Sequence, residues 1–229
     1  PILKLSCKPQ DSHISDYNFH NTKFSINLII GFPYQIFDPK KLLPNRNCIR
    51  VACNEPNQSL PATPLYNFSI LSSTTYETYL KYLHKTKKQT ESFVQATTLG
   101  RLWLQQRGFS SKIAHSGSLG GFGTFEFAIL MAALLNGGGN NGNKILLHGF
   151  SSYQLFKGVI KYLATMDLCN DGHLQFHSDN QSSSKYVKEG FQVPTLFDKT
   201  TKVNILSKMS VSSYEILKKS AQQTLKMLN

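Results

Sequence analysis

Gly117, Gly120, Gly121 and Gly123 stand just before an apolar run, a placement that at first sight suggests a phosphate-cradling loop. Their spacing is neither G-x-G-x-x-G nor G-x-x-x-x-G-K-[ST], and no lysine follows. The expected role is a tight turn that brings backbone close to backbone. Gly137–Gly139 reads in the same way as a helix stop followed by a loop. Glu126 is the one charge in the apolar run. A carboxyl in an apolar site is a candidate general base, but in the first helical turn it complements the helix dipole, and that structural role is expected here. Tyr153 and Lys157 lie one turn apart on an amphipathic segment. Hydroxyl and ammonium on one face can grip a phosphate, although a solvated face of an amphipathic helix is the expected account of the pair.

The remaining chemistry-bearing residues are dispersed. His13, His20, His84, His115, His148, His173 and His177 show no ligand spacing on a clear helix, and no nucleophile-elbow motif accompanies them. Cys7, Cys48, Cys53 and Cys169 lack the C-x-x-C or Cys/His spacing of a zinc site. Reduced, partly buried thiols are expected, and neither a metal nor a cofactor. The formal net charge is +12, with Lys and Arg spread along the whole chain. That balance favours a polyanion such as RNA through counterion release. The densest cluster is Lys81, Lys85, Lys87 and Lys88, and helical spacing places Lys81, Lys85 and Lys88 on one face.

These residues need elements to hold them. Residues 1–52 look β-rich: Ile2–Leu5 is a short apolar run, and Phe24, Ile26, Leu28 and Ile30 alternate with Ser25 and Asn27. Pro, Asn and Ser enrich residues 53–64, which read as a linker. From residue 65 to 229 the pattern is helical. Thr74-x-x-Glu77, Ser151-x-x-Gln154 and Ser212-x-x-Glu215 have the form of capping boxes. Phe93–Gln106 carries Leu99, Leu102 and Trp103 at i, i+3 and i+4, with Gly108 as a stop. Trp103 is expected in the core rather than as a base-stacking platform. Phe125–Leu135 has no polar face and predicts a central buried helix. Residues 167–192 are polar and read as irregular, and a final helix is expected to end near Leu228.

With 229 residues, 40% hydrophobic, and a mean hydropathy of −0.26, the chain has the composition of a soluble globular protein able to bury a sizeable core. No apolar run approaches the roughly 18 residues of a membrane span. The chain starts without Met and enters strand-like sequence at once, so it is expected to be a piece of a longer polypeptide.

The run LWLQQRGF followed by GGFGTFEFAILMAALL resembles the central helical domain of poly(A) polymerases and oligoadenylate synthetases. Through GGFGTFEF, NGGG and GFSSYQLFKGVIKYLA, residues from about 60 to 229 more closely resemble the Nrap (nucleolar RNA-associated protein) family. The resemblance implies an α+β fold: the end of a nucleotidyltransferase-like β-sheet in residues 1–52, a linker at 53–64, and a mainly helical poly(A) polymerase/oligoadenylate synthetase-like domain at 65–229. Active nucleotidyltransferases hold two Mg²⁺ ions with carboxylates, one of them on a later strand. The matching strand here is Lys23–Ile30, whose polar positions are Ser25 and Asn27, while Asp11 and Asp16 lie off it. Ser25 thus reads as a vestigial catalytic position. Thr124-Phe125-Glu126 also replaces the family's Ser-Tyr-like pair at the start of the buried helix.

The resemblance therefore implies a non-catalytic scaffold of the small-subunit processome, in the nucleus and nucleolus, that supports pre-rRNA processing and 40S ribosome biogenesis. Its implied partners are pre-rRNA or small nucleolar RNA, an Rrp-seven-type protein and casein kinase II, and no membrane. The basic positions singled out for RNA are Lys81, Lys85, Lys88, Arg107 and Lys157. The rival reading is a Mg²⁺-dependent RNA nucleotidyltransferase. A third is a protein-binding module whose interface is residues 186–206.

Overall fold

In the computed structural model the described residues are 2–6, 25–33, 36–49, 60–111, 119–138, 143–169, 174–178 and 194–228. Strands β1 (Ile2–Ser6) and β2 (Ser25–Ile29) pair antiparallel, with Ile2 opposite Ile29 and Ser6 opposite Ser25. Apolar residues on both faces of β2 are exposed, Ile26 and Leu28 on one and Ile29 on the other.

A helical body comes next. Helix α1 (Pro64–Ser73) starts with Pro at its first position, where a missing N–H costs nothing. Its buried Asn67 ties it to the preceding loop by donating to the carbonyls of Leu43 and Arg46, each at 2.9 Å. Helix α2 (Tyr76–Gln89) buries Tyr79, Tyr82 and Thr86, a stripe at i, i+3 and i+7. The Thr74/Glu77 box does not form. The Thr74 and Thr75 hydroxyls donate back to Leu71 and Ser72 carbonyls instead, because a tight α1–α2 corner leaves those carbonyls closest.

Helix α3 (Phe93–Gln105) ends before Gly108, whose φ of +73° lies in the left-handed region that suits glycine. Its core face differs from the expected one. Ala96, Gly100, Trp103 and Leu104 are buried, while Leu99 and Leu102 are partly exposed. The physical reason is close approach: a Cβ on Gly100 would collide with the ring of Phe127 on the next helix. Small residues let that helix sit against the α3 backbone and turn the leucines aside.

That next helix is α4 (Thr124–Leu135), and every residue from Glu126 to Leu135 is buried. Each large apolar side chain here is worth about 1.5–3 kcal/mol relative to exposure. Helix α3 packs on α4, as does α2, and the core is built around this segment. Helix α5 (Ser152–Thr165) opens with the expected capping box: Gln154 N–H donates to Ser151 Oγ at 3.3 Å, and Ser151 N–H to Gln154 Oε1 at 2.9 Å.

The segment expected to be irregular contributes strand β3 (Leu174–Phe176), which pairs parallel with β4 (Leu196–Asp198). Strand β5 (Val203–Asn204) adds an antiparallel edge. Leu174, Phe176 and Leu196 are buried, and Phe176 stacks on Tyr82 of α2 with ring centroids 5.7 Å apart. Burial against α2, not local pattern, makes this small sheet. Helix α6 (Val211–Leu228) closes the body against α5. Its start is capped by Ser210, whose Oγ accepts from Ser213 N–H at 3.1 Å, and not by Ser212.

Candidate nucleic-acid interface

Helix α2 turns Tyr79, Tyr82 and Thr86 inward, so Lys81, Lys85 and Lys88 lie on its outer side, all exposed. The 3.6-residue period that buries the tyrosines is the same one that lines up the lysines. Lys81 pairs with Glu77 one turn earlier at 2.6 Å, and both side chains are more than three-quarters exposed. The Lys81 hydrogen bond and charge hold the Glu77 carboxyl below its ordinary range. In water such a pair is weak, and a phosphate can compete for the same ammonium.

Arg107 and Lys157 sit elsewhere and are otherwise engaged. Arg107 lies over the Trp103 ring, 4.8 Å from its centroid, and donates to the Trp103 carbonyl and to Thr224 Oγ1, each at 3.1 Å. Lys157 donates to the Leu228 carbonyl at 2.7 Å, where a cation meets the negative end of α6. Tyr153, one turn before it, is half exposed, as on a solvated helix face. The structure thus brings together the three α2 lysines and leaves Arg107 and Lys157 as fasteners of α6.

The glycine turn serves packing. Gly121 has φ +83°, and a Cβ there would run into the backbone of Met209 and Lys208. Gly123 N–H is taken by Glu126 Oε2 at 2.8 Å, and the same oxygen accepts from Ser111 Oγ at 2.6 Å. Glu126 therefore closes its own helix start, as its position in the first turn suggests. Ser25 is the first residue of β2, opposite Ser6. Its side chain lies outside the described residues, as do Asp11, Asp16, Gly117, His13, His20, His115 and His173. Cys48 and Cys169 are half-buried, the Cys48 thiol donating to the Lys41 carbonyl at 3.1 Å, and Cys7 and Cys53 also lie outside the described residues. Among the described residues no group of three His, Cys, Asp or Glu side chains is placed to hold a metal ion. Nor, among them, is any helix long and apolar enough to cross a membrane.

The glycine-turn and central-helix region falls inside a match to a known sequence family. The profile of the Nrap protein PAP/OAS-like domain matches residues 92–229, and that of Nrap protein domain 1 matches residues 1–89. The chain belongs to the Nrap family. It is 76% identical over its whole length to U3 small nucleolar RNA-associated protein 22 of Saccharomyces cerevisiae, covering 19% of that protein. Identity is 35% to the protein of that name in Schizosaccharomyces pombe, over 85% of this chain and 17% of the relative. It is 30% to nucleolar protein 6 of Xenopus tropicalis, over 86% of this chain and 17% of the relative. The chain thus spans under one-fifth of the length of these relatives.

Two arrangements in this Nrap chain join residues far apart in sequence. Asp198, fully buried, accepts from the Ser178 and Thr200 N–H groups at 3.3 and 3.0 Å and from the Ser178 and Thr201 hydroxyls at 2.9 and 2.8 Å. Thr201 in turn meets the Tyr79 hydroxyl at 2.8 Å, which couples the β4–β5 turn to α2. The local Asp-Lys-Thr-Thr sequence is a turn signal that points to half of this network; the Tyr79 half has no local trace. The second is the His148 ring, 2.6 Å from the Thr90 hydroxyl. Burial, with Lys144 nearby, lowers the His148 pKa from its ordinary value. Both arrangements hold elements together and leave the α2 lysine face as the candidate interface.

Proposed function

We propose that this chain is a non-catalytic part of a nucleolar scaffold that supports small-subunit pre-rRNA processing and contacts pre-rRNA or small nucleolar RNA through the outer face of α2. The observation that carries the reading is the coincidence of the Nrap profiles, spanning residues 1–89 and 92–229, with an exposed Lys81–Lys85–Lys88 face. The names of the relatives, a U3 small nucleolar RNA-associated protein and a nucleolar protein, agree with a nuclear, nucleolar location and an RNA partner. An Rrp-seven-type protein and casein kinase II complete the partner set proposed on the family resemblance. The polar positions of β2 are Ser25 and Asn27, neither able to supply the anionic metal ligand that phosphoryl transfer needs.

The same proposal divides the chain at residues 53–64. Residues 1–52 close a nucleotidyltransferase-like sheet, which accounts for the exposed Ile26, Leu28 and Ile29 of β2. Residues 65–229 form the helical body. The profile boundary falls after residue 89; that α2 buries Tyr79 and Tyr82 and packs on α4 supports counting it with the helical body.

Binding of single-stranded RNA to the full-length protein tests the interface. Affinity is expected to fall steeply between low and moderate salt. Lys81→Glu/Lys85→Glu/Lys88→Glu is expected to weaken binding and to lower the log–log salt slope by about three, roughly one per lost phosphate contact. Salt-independent binding, or a triple variant that binds like the parent, defeats the RNA reading. Extension of an RNA primer with Mg²⁺ or Mn²⁺ and each nucleotide defeats the non-catalytic one.

A further inference from the structure

A groove of about 680 Å³ runs between α2 and α3, beside the lysine face and sharing only Lys81 with it. Its walls are two helical stripes. Leu80, Leu83 and Lys87 recur at i, i+3 and i+7 along α2, and Val94, Thr97 and Arg101 repeat that spacing along α3, with Ala128 of α4 in the lining. Leu80 is 67% exposed and Val94 is 49% exposed, so both walls present aliphatic carbon to solvent. Among the described residues lining the groove none is acidic, and Lys81, Lys87 and Arg101 are basic. Lys87 and Arg101 make no ion pair among the described residues.

We propose that this groove docks an amphipathic helix of a partner protein, one with an apolar ridge flanked by Asp and Glu. The charge of the walls selects the sign of the partner. Two helices joined by three residues leave a trough between their stripes, and the apolar ridge of a third helix, spaced i, i+3, i+4 and i+7, complements it. The aliphatic walls argue against RNA as the occupant. Sequence-tolerant binding of single strands uses runs of exposed ring faces for stacking, whereas this groove offers a single exposed ring, the His84 imidazole, with Phe93 5% exposed and Leu80 and Val94 as the exposed apolar groups. The proposal does not depend on RNA binding at Lys85 and Lys88, which lie outside the lining.

The test is selection of a displayed random-peptide library on the full-length protein, with prior depletion on the Leu80→Glu/Val94→Glu variant. Both positions are exposed, so the substitutions leave the core intact. The selected peptides are expected to converge on apolar residues at helical spacing with acidic flanks. A synthetic peptide of that consensus is expected to bind the parent at least tenfold more tightly than its scrambled form. It is also expected to lose at least tenfold on Lys87→Glu/Arg101→Glu and to recover when its acids are changed to lysines. Convergence on basic or non-helical peptides, binding unaffected by the groove variants, or no enrichment overturns the proposal. So does protection of a Leu80→Cys thiol from a maleimide reagent in the isolated full-length protein, since the groove is then covered in cis. Displacement of the peptide by oligouridylate from the parent but not from Lys85→Glu/Lys88→Glu assigns RNA to the lysine face and supports the proposal, because the groove itself then holds the peptide and not RNA. Displacement from both places RNA in the groove and counts against a protein occupant.

Discussion

The indole N–H of Trp103 donates to the hydroxyl of Thr224 at 2.8 Å, across 121 residues of sequence, and Arg107 reaches the same hydroxyl at 3.1 Å. One threonine on α6 thus satisfies a buried ring nitrogen and steadies a guanidinium stacked on that ring. Thr224→Val keeps the shape and removes the acceptor. Leaving the indole unsatisfied is expected to cost about 1–3 kcal/mol, read as a lower urea midpoint at unchanged m-value. Thr224→Ser is expected to recover most of the loss. An unchanged midpoint in Thr224→Val would mean that the contact contributes nothing.

Gly100 offers a test in which two effects have opposite signs. Within an exposed helix Gly→Ala stabilises by about 1 kcal/mol. Here the added Cβ meets the Phe127 ring, and overpacking of this kind costs about 1–3 kcal/mol. Gly100→Ala is therefore expected to lower the thermal midpoint. Combined with Phe127→Leu, it is expected to cost less than the sum of the two single changes. A stabilised Gly100→Ala protein would show that α3 and α4 do not approach so closely.

Asp198 accepts four hydrogen bonds while fully buried. Asp198→Ala removes the shared acceptor of two hydroxyls and two N–H groups, of which the Thr201 hydroxyl keeps Tyr79 as a partner, and is expected to cost about 2 kcal/mol. Hydrogen exchange of the Thr200 and Thr201 amides is expected to accelerate with it, since the turn loses its internal anchor. Exchange at parental rates would separate the turn from the carboxylate.

Two histidines set an acid limit on stability. Burial, followed by Lys144, lowers the His148 pKa, and burial followed by Lys199 lowers that of His177, against a smaller opposing pull from Asp198. The native state then binds fewer protons than the unfolded chain below the ordinary histidine value of about 6.5. Stability rises with pH across that window and is lost as pH falls through it. Urea midpoints at pH 5.5 are expected below those at pH 7.5, and His148→Gln is expected to shrink the difference. Equal midpoints would contradict the depressed values.

Local information carried some of this fold a long way. The run from Phe125 to Leu135 is apolar on all sides, so only a buried helix suits it, and α4 is that helix. Ser151 and Gln154 satisfy each other's backbone within one turn, so their box needs nothing from elsewhere. Where several local choices were nearly equal, the tertiary structure chose. Thr74 and Thr75 turned back to the end of α1, and Ser210 took the cap that the Ser212-x-x-Glu215 spacing suggested. The lysine face of α2 was readable because helical period alone places it; the engagement of Arg107 and Lys157 was not, because their partners Thr224 and Leu228 lie on α6.

By itself the sequence determined the positive charge, the existence of helices α2 to α6 with nearly the limits of α3 and α4, and membership of the Nrap family. All of these arise from composition, short-range periodicity or shared motifs. Only the tertiary structure decided which side of α3 enters the core, that Leu174–Phe176, Leu196–Asp198 and Val203–Asn204 form a sheet, and that a basic, apolar-walled groove opens between α2 and α3. The reason is range. Three-residue strands, a glycine against a distant ring, and the gap between two helices exist only through contacts with residues far away in the chain, and no local propensity encodes them.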